Sequence, residues 1–291
     1  MIDDIAASIT QATGSDFVPR QPTSSIAGGC INQAFRLSDG TRNYFVKTNQ
    51  ADRRSMFEAE AAGLKEILHT ATIRVPTPVA CGESADEAFL VLEYLEMDGR
   101  SSGVQLGRNL AGMHRHTAPQ FGWKLDNTIG ATHQPNSWTD NWVDFFRGQR
   151  LGYQLSLAAQ NGYGGSLQRK GESLLAHLHE FFAGYQPVPS LLHGDLWGGN
   201  AAAFASGEPV IFDPAVYYGD READLAMTEL FGGFPADFYA AYREAWPLDA
   251  GYHVRKTLYN LYHVLNHANL FGDGYAKQAE SMLDRLIAEI K

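Results

Sequence analysis

Residues 191–200 read Leu-Leu-His-Gly-Asp-Leu-Trp-Gly-Gly-Asn, and residues 210–214 read Val-Ile-Phe-Asp-Pro. In this stretch Asp195 precedes Asn200 by five residues, and Asp213 follows a short apolar strand thirteen residues further on. Phosphoryl transfer from a magnesium nucleotide needs a carboxylate that accepts the proton of the attacking hydroxyl, and an amide and a second carboxylate that hold the metal. The order His-x-Asp-x-x-x-x-Asn, then strand and Asp, is typical of a kinase catalytic loop. It predicts Asp195 as the base, Asn200 and Asp213 as Mg²⁺ ligands, and ATP as the donor.

A simpler interpretation of the same residues exists. His-Gly-Asp is common in turns, and Asp and Asn often cap helices or close Asx-turns. The offset of Asn200 and the strand before Asp213 favour the catalytic interpretation, because carboxylates at the ends of buried strands point into crevices.

The composition narrows the class of protein. The chain has 291 residues, of which 44% are hydrophobic and 19% charged, as in an ordinary globular protein of one large domain or two lobes. A net charge of -10 argues against a nucleic-acid or anionic-membrane partner and suits a substrate that carries an amine. The two cysteines, Cys30 and Cys81, exclude a disulfide framework. With neither a signal peptide nor a membrane-spanning apolar run in view, the sequence predicts a cytoplasmic protein.

The first third of the chain predicts strands and one main helix. The sequence predicts a hairpin at Gly28-Gly29 whose backbone N–H groups could approach phosphates, although two glycines also make a plain turn. The pattern predicts a strand over 43–47 that ends at Lys47, and Glu60 follows thirteen residues later on a predicted amphipathic helix. A strand lysine held by a helix glutamate is the ion pair with which kinases position the α- and β-phosphates. We therefore predict that Lys47 pairs with Glu60.

The composition then shifts from strands to helices. A buried strand over 88–95 ends at a connector, where the backbone of Glu93 and Leu95 could hydrogen-bond a nucleotide base. Beyond it most segments have helical periodicity, including 138–159, for which Ser137 is the predicted N-cap. The prediction is an α+β fold of two lobes: residues 1–96 with a small antiparallel sheet and one main helix, and residues 97–291, larger and mostly helical.

Several polar residues have more than one interpretation. Asp224 could accept backbone N–H groups of the catalytic loop or only cap its own helix. His263 and His267 stand four residues apart on an apolar helix, as a zinc pair would, but a packed or surface role is favoured because no third ligand is near in sequence. His114 ends a helix, where interaction with the helix dipole suffices to explain it.

These residues resemble the fructosamine-3-kinase (ketosamine-3-kinase) family, within the aminoglycoside-phosphotransferase branch of protein-kinase-like folds. The resemblance covers nearly the whole chain, and the Trp-Gly-Gly insert at 197–199 separates it from ordinary protein kinases. The similar stretches are 28–32, 44–49, 57–61, 106–115, 126–130, 134–136, 141–151, 193–200, 212–215 and 219–224.

The resemblance implies a two-lobed fold and ATP-dependent phosphorylation of the sugar 3-hydroxyl of a ketosamine, free or protein-bound, whose adduct then decomposes and frees the amine. The resemblance implies the same roles as the motif: Asp195 is the base, and Asn200 and Asp213 are the Mg²⁺ ligands. Lys47, held by Glu60, would bind the phosphates. The alternatives are a phosphotransferase for another hydroxylated amine, of aminoglycoside, choline or homoserine type, and a nucleotide-binding pseudokinase. A monomer or a homodimer is expected.

Two further sets of residues are hypotheses from their chemistry. Aromatic and arginine groups suit stacking on a sugar amine or bonding to it, although each of them could equally belong to the core; the candidates are Trp142, Arg150, Trp197 and Tyr218. Cys30 in the glycine turn is either a small buried hydrophobe or a thiol whose oxidation cross-links two chains or blocks ATP.

Overall fold

The computed structural model describes residues 1–20, 24–25 and 31–290. Its contacts divide the chain into two compact units: unit 1 is Met1–Ser102 with Ala201–Pro214, and unit 2 is Gly103–Asn200 with Ala215–Lys291. The sequence predicted a single boundary between residues 96 and 97. By its contacts the chain instead changes unit after Ser102, and the later segment Ala201–Pro214 also belongs to unit 1. Among the described residues no helix is both long and apolar enough to span a bilayer.

Unit 1 contains a five-stranded sheet in which every pair of neighbours is antiparallel, in the order β1-β2-β3-β5-β4. The Asp39-Gly40 turn joins β2 to β3; Gly40 takes the left-handed conformation (φ 97°), and Asp39 Oδ1 accepts the N–H groups of Thr41 and Arg42. The strands are β1 (Ser24–Ser25), β2 (Gln33–Ser38), β3 (Asn43–Gln50), β4 (Pro78–Ser84) and β5 (Glu87–Glu93).

Two helices of unit 1 pack on this sheet, α1 (Ile2–Thr13) and α2 (Arg54–Thr70). Ile5 and Ile9 of α1 share an apolar cluster with Val46 of β3. Successive side chains of a strand point to opposite faces. Lys47 therefore points away from the α1 cluster, and its ammonium group meets a carboxylate of α2.

Unit 2 is mostly helical. Within it α3 packs against α8, α9 against α7 and α10, and α6 against α10. The helix predicted over 138–159 begins later, at Trp142, because Asn141 rather than Ser137 caps it and accepts the N–H of Asp144. The helices are α3 (Gly103–His114), α4 (Trp142–Phe146), α5 (Tyr153–Gln160), α6 (Ser166–Ala176), α7 (Glu222–Leu230), α8 (Ala236–Ala245), α9 (Tyr252–Phe271) and α10 (Asp273–Glu289).

The other described strands are short and form three antiparallel pairs. Pairs β6–β7 and β8–β11 belong to unit 2, and the β9–β10 hairpin belongs to unit 1. The hairpin is held to unit 1 by backbone hydrogen bonds from Gly99 N to Ala203 O (3.0 Å) and from Ile211 N to Arg74 O (3.0 Å). The strands are β6 (Asn127–Ile129), β7 (Thr132–Gln134), β8 (Ser190–Leu192), β9 (Ala201–Ala203), β10 (Pro209–Ile211) and β11 (Tyr217–Gly219).

Candidate functional site

A buried lysine in unit 1 is held between two carboxylates. Lys47 Nζ lies 2.7 Å from Glu60 Oε1 and 2.6 Å from Asp213 Oδ1, and the lysine is only 5% exposed. Burial alone would lower the pKa of Lys47, but the two carboxylates outweigh it and raise that pKa above its usual value. The side chain therefore stays cationic. The predicted ion pair with Glu60 is present, and Asp213 is a second partner that the sequence did not reveal.

Asp213 reaches Lys47 from an unusual backbone conformation. Its φ of 57° lies in the left-handed region, which is uncommon for a residue with a side chain and often marks a functional position. The side chain is 45% exposed, although Oδ1 is bonded to Lys47. The carboxylate therefore remains open to a ligand. Burial raises the pKa of Glu60; Lys47 opposes that shift and Asp213 adds to it.

We expect Lys47→Met to lower kcat/KM for ATP by roughly 30-fold or more, since hydrogen bonds to charged groups contribute about 1.5–3 kcal/mol each. The change also leaves the carboxylates of Glu60 and Asp213 without their shared cation. Steady-state kinetics with varied ATP measures the effect. Lys65→Met makes the same change at an exposed position of α2 and should leave kcat/KM within about twofold of wild type. Equal values for the two variants would exclude a phosphate-positioning role for Lys47.

In unit 2 the loop after β8 is fixed by a buried carboxylate. Asp224 Oδ2 accepts the backbone N–H of His193 at 2.7 Å, and Oδ1 accepts that of Gly194 at 2.8 Å. Of the two interpretations of Asp224, the structure supports the one in which its carboxylate accepts backbone N–H groups of the predicted catalytic loop. His114 Nε2 lies 3.1 Å from Asp224 Oδ2, and His114 Nδ1 lies 2.8 Å from Tyr242 Oη. A helix-dipole role thus does not account for His114.

Gly194 is required at its position for a steric reason. Its φ is 82°, and a Cβ there would lie 2.1 Å from the carbonyl oxygen of Ala215. The loop can therefore approach the backbone before β11 only with glycine at this point, and Ala215 N donates to His193 O at 2.8 Å. The next residue, Asp195, is half-buried.

Asn200 holds Asp195 through its amide group. Asn200 Nδ2 lies 2.8 Å from the backbone oxygen of Asp195 and 3.3 Å from Asp195 Oδ2. These contacts use the amide nitrogen, so the carboxamide oxygen keeps its acceptor capacity. Carboxamide and carboxylate oxygens are the hard donors that Mg²⁺ prefers, and Asn200 and Asp213 fit that requirement by chemistry.

The two residues whose backbone is predicted to contact the nucleotide base, Glu93 and Leu95, lie at the end of β5 and just beyond it. The N–H of Glu93 donates to Thr77 O at 2.9 Å, and its carboxylate pairs with Arg74 at 2.5 Å. A base could therefore use only the carbonyl of Glu93. Leu95 is half-buried, beyond the end of β5. Gly28, Gly29 and Cys30 lie outside the described residues.

Two of the four substrate-lining candidates belong to the core of unit 2, so the lining hypothesis is wrong for them. Arg150 is fully buried; its guanidinium lies over Tyr217, with Cζ 4.0 Å from the ring centroid, and Nη2 donates to Asn136 Oδ1 at 2.7 Å. Trp142 is 3% exposed, and its Nε1 donates to the Tyr259 hydroxyl at 3.1 Å. These aromatic and polar partners compensate for their burial.

The other two candidates remain accessible. Trp197 is 37% exposed and Tyr218 is half-buried. A glycine makes room for the indole, because a Cβ on Gly199 would lie 2.3 Å from Trp197 Cη2. This contact explains the second glycine of the Trp-Gly-Gly insert; a Cβ on Gly198 would meet nothing within 4 Å.

Asp220 is a buried group of unit 2 that the sequence did not single out. Its carboxylate accepts hydrogen bonds from the hydroxyls of Tyr185 and Tyr259 and from the N–H of Glu222. Burial raises its pKa, and the hydrogen bond from Tyr259 counteracts that shift. The bond from Glu222 lies at the start of α7, the helix that carries Asp224, so Asp220 supports the loop indirectly. In the sequence, the one indication of Asp220 was that it lies in 219–224, a stretch similar to the family.

Comparison with solved structures defines the class. The fold superposes on the crystal structure of a fructosamine-3-kinase homologue from Haemophilus somnus with a TM-score of 0.90, at 29% identity, covering 98% of this chain and 97% of the other. It also matches the aminoglycoside phosphotransferase APH(4)-Ia with a TM-score of 0.63 at 15% identity, covering 99% of each chain, a likeness of fold alone. The protein thus has a protein-kinase-like phosphotransferase fold, and the predicted fold class, a small antiparallel sheet with a mostly helical remainder, is confirmed.

Comparison of sequences gives the family. The fructosamine kinase family model matches residues 1–289. The probable ketoamine kinase of Synechocystis is 52% identical, over 97% of this chain and 96% of its own length. The chloroplastic protein-ribulosamine 3-kinase of Arabidopsis thaliana is 44% identical, over 92% of this chain and 83% of its own length. The chain belongs to the fructosamine kinase family. It is accordingly an ATP-dependent phosphotransferase with an alcohol group as acceptor.

Proposed function

We propose that this protein phosphorylates the 3-hydroxyl of a ketosamine, the sugar adduct of an amine, and so starts a deglycation repair in which the adduct decomposes. One observation carries the proposal: a relative named protein-ribulosamine 3-kinase is 44% identical over 92% of the chain. The predicted catalytic residues Lys47, Asp195, Asn200 and Asp213 are all present, which argues against a pseudokinase.

Asp195 is the proposed base. Its carboxylate would take the proton of the sugar hydroxyl as the oxygen attacks the γ-phosphorus and the bond to the β-phosphate oxygen breaks. Two features support this role: Asn200 bonds to the Asp195 carboxylate, and Asp224 fixes the backbone at 193 and 194. The base would therefore be oriented before the substrate binds, which lowers the cost of reaching the reactive geometry.

Lys47 would bind the α- and β-phosphates of ATP, with Glu60 holding the ammonium group in place. Asn200 and Asp213 would hold Mg²⁺, which neutralises phosphate charge when it is bound. Gly28, Gly29, Glu93 and Leu95 complete the proposed nucleotide contacts, and Trp197 and Tyr218 the acceptor contacts. In this assignment the nucleotide-binding lobe, predicted as residues 1–96, is unit 1, and the lobe with the base and the acceptor site, predicted as 97–291, is unit 2. The protein would be a cytoplasmic monomer or homodimer without a nucleic-acid or membrane partner.

The test is magnesium- and ATP-dependent phosphorylation of four acceptors: ribulosyl-lysine, fructosyl-lysine, choline and an aminoglycoside. We expect turnover of the ketosamines alone, with the phosphate on the 3-hydroxyl by phosphorus NMR and with release of lysine on standing. Omission of Mg²⁺ should abolish turnover. Preferred turnover of choline or the aminoglycoside would replace the ketosamine assignment. ATP binding without turnover of any of the four would point to another acceptor or to the pseudokinase.

A further inference from the structure

Five aromatic side chains of unit 2 form a continuous row that begins on the catalytic loop. Ring centroids are 6.0 Å apart for Trp197 and Phe231, 5.0 Å for Phe231 and His267, 5.5 Å for His267 and Phe271, and 5.0 Å for His267 and Tyr275. We call these five residues the aromatic row. They come from three separate parts of the sequence, and the first of them stands two residues after Asp195.

The aromatic row is accessible at both of its ends. Phe271 is 57% exposed and Trp197 is 37% exposed, and the three rings between them are half-buried. Scattered exposed apolar residues need no explanation, but a contiguous set beside a catalytic loop indicates a binding surface. Because Trp197 lies against Gly199 and edge-on to Phe231, with an interplanar angle of 73°, its position is set by packing.

His267 adds one directed polar group to this surface. Its Nδ1 lies 2.8 Å from the carbonyl oxygen of His263, so Nδ1 carries the hydrogen and donates it. Burial lowers the pKa of His267, against the opposing effect of that hydrogen bond, so the ring is neutral near pH 7. In this tautomer Nε2 is an acceptor. The centre of the row therefore combines ring faces with one hydrogen-bond acceptor and carries no positive charge.

We propose that the aromatic row is the subsite for the carrier of the ketosamine, the carbon chain whose amine bears the sugar. This inference rests on the proposed function. In a ketosamine the amine is attached to C1 and the reacting hydroxyl to C3, with only the carbonyl carbon between those two carbons. A sugar whose 3-hydroxyl reaches Asp195 therefore brings its amine close to the loop that carries Trp197.

The chemistry of the row matches that carrier on three counts. Aromatic faces attract a cationic ammonium group, and they cover methylene groups without a polar cost. A neutral His267 does not repel the secondary ammonium. Phe271 at the exposed end leaves the chain free to continue into a peptide, so a protein-bound lysine fits as well as a free one.

The experiment compares two substrates that share one sugar and differ only in the carrier: ribulosyl-methylamine and Nα-acetyl-Nε-ribulosyl-lysine. In Phe271→Ala we expect KM for the lysine substrate to rise about five- to tenfold, with kcat and the KM of the methylamine substrate within about twofold of wild type. Phe271→Leu should recover part of the loss. Val188→Ala removes apolar surface at another exposed position of unit 2 and should change neither KM.

The outcomes separate this inference from the proposed function. Turnover of both substrates by wild type with no carrier-dependent change in Phe271→Ala overturns the inference and keeps the kinase assignment. An equal rise of both KM values also overturns it, because the row would then contact the sugar or only support the fold. Wild type that phosphorylates neither substrate contradicts the proposed function, and the inference falls with it.

Discussion

Asp195→Asn is expected to lower kcat by about 10²- to 10⁴-fold, the usual contribution of a positioned general base, while the Kd for ATP stays within about threefold of wild type. The amide keeps the shape of the carboxylate and its contact with Asn200, but it cannot take the proton of the acceptor hydroxyl. Single-turnover phosphorylation gives the rate of the chemical step, and equilibrium binding of a fluorescent ATP analogue gives the Kd.

Asp140→Asn is the matched control, because Asp140 is an exposed carboxylate of the same unit whose Oδ1 accepts a hydrogen bond from Gln120 at 2.8 Å. Its kcat should equal that of wild type. If Asp195→Asn retains more than about a tenth of the wild-type kcat, another group is the base and the proposed role is wrong.

Asp224→Ala is expected to lower the free energy of unfolding by roughly 3–5 kcal/mol, because removing one member of a buried charged network leaves its partners unsatisfied. The orphaned groups are the N–H groups of His193 and Gly194 and the imidazole of His114. The fraction of the variant that stays folded should also have a lower kcat, because Asp195 directly follows the two residues whose N–H groups lose their acceptor. Urea unfolding gives the free energy, and kcat is measured on the folded fraction.

Asp284→Ala is the control for a carboxylate in an exposed ion pair: Asp284 Oδ1 lies 2.7 Å from Lys170 Nζ, and its side chain is 60% exposed. Exposed pairs of this kind contribute about 0–1 kcal/mol. Equal unfolding free energies for Asp224→Ala and Asp284→Ala would show that the loop does not depend on Asp224.

The effect of Asp224 should also depend on pH. Burial raises the pKa of Asp224, but the hydrogen bond and charge of His114, with smaller contributions from His193 and Gly194, outweigh it and hold the pKa below its usual 3.8. Because the folded protein then binds fewer protons than the unfolded chain, the stabilisation is present above the unfolded pKa and is lost as pH falls through the folded pKa. The difference in unfolding free energy between wild type and Asp224→Asn should therefore shrink as pH falls from 5 to 3.

The parts that the sequence predicted are those with local patterns. The spacing of Asp195 and Asn200 lies within one loop, and the turn at Asp39-Gly40 needs only neighbouring residues. Lys47 and Glu60 were paired because a strand lysine followed by a helix glutamate is the order of the ion pair with which kinases position phosphates. The roles that follow from these positions are predictions until the variants are measured.

The parts that the sequence did not predict depend on partners distant along the chain. Arg150 resembled a substrate ligand because an arginine in isolation is polar, whereas Tyr217 supplies the ring face that lets it be buried. Trp142 likewise finds its hydrogen-bond acceptor on Tyr259. Asp224 had two equal interpretations until its distances to the loop N–H groups distinguished them. The aromatic row had no periodic signature, since Trp197, Phe231 and His267 belong to different segments.

The membership of Ala201–Pro214 in unit 1 has a consequence for biosynthesis. A ribosome releases residues 1–102 long before residue 214, so unit 1 emerges without its β9–β10 hairpin and without Asp213. Until that point the ammonium group of Lys47 has only one of its two carboxylate partners, and an expressed fragment 1–102 would keep that deficit permanently. The two units therefore cannot be separated by a single cut in the gene: unit 1 is completed only after most of unit 2 has been translated.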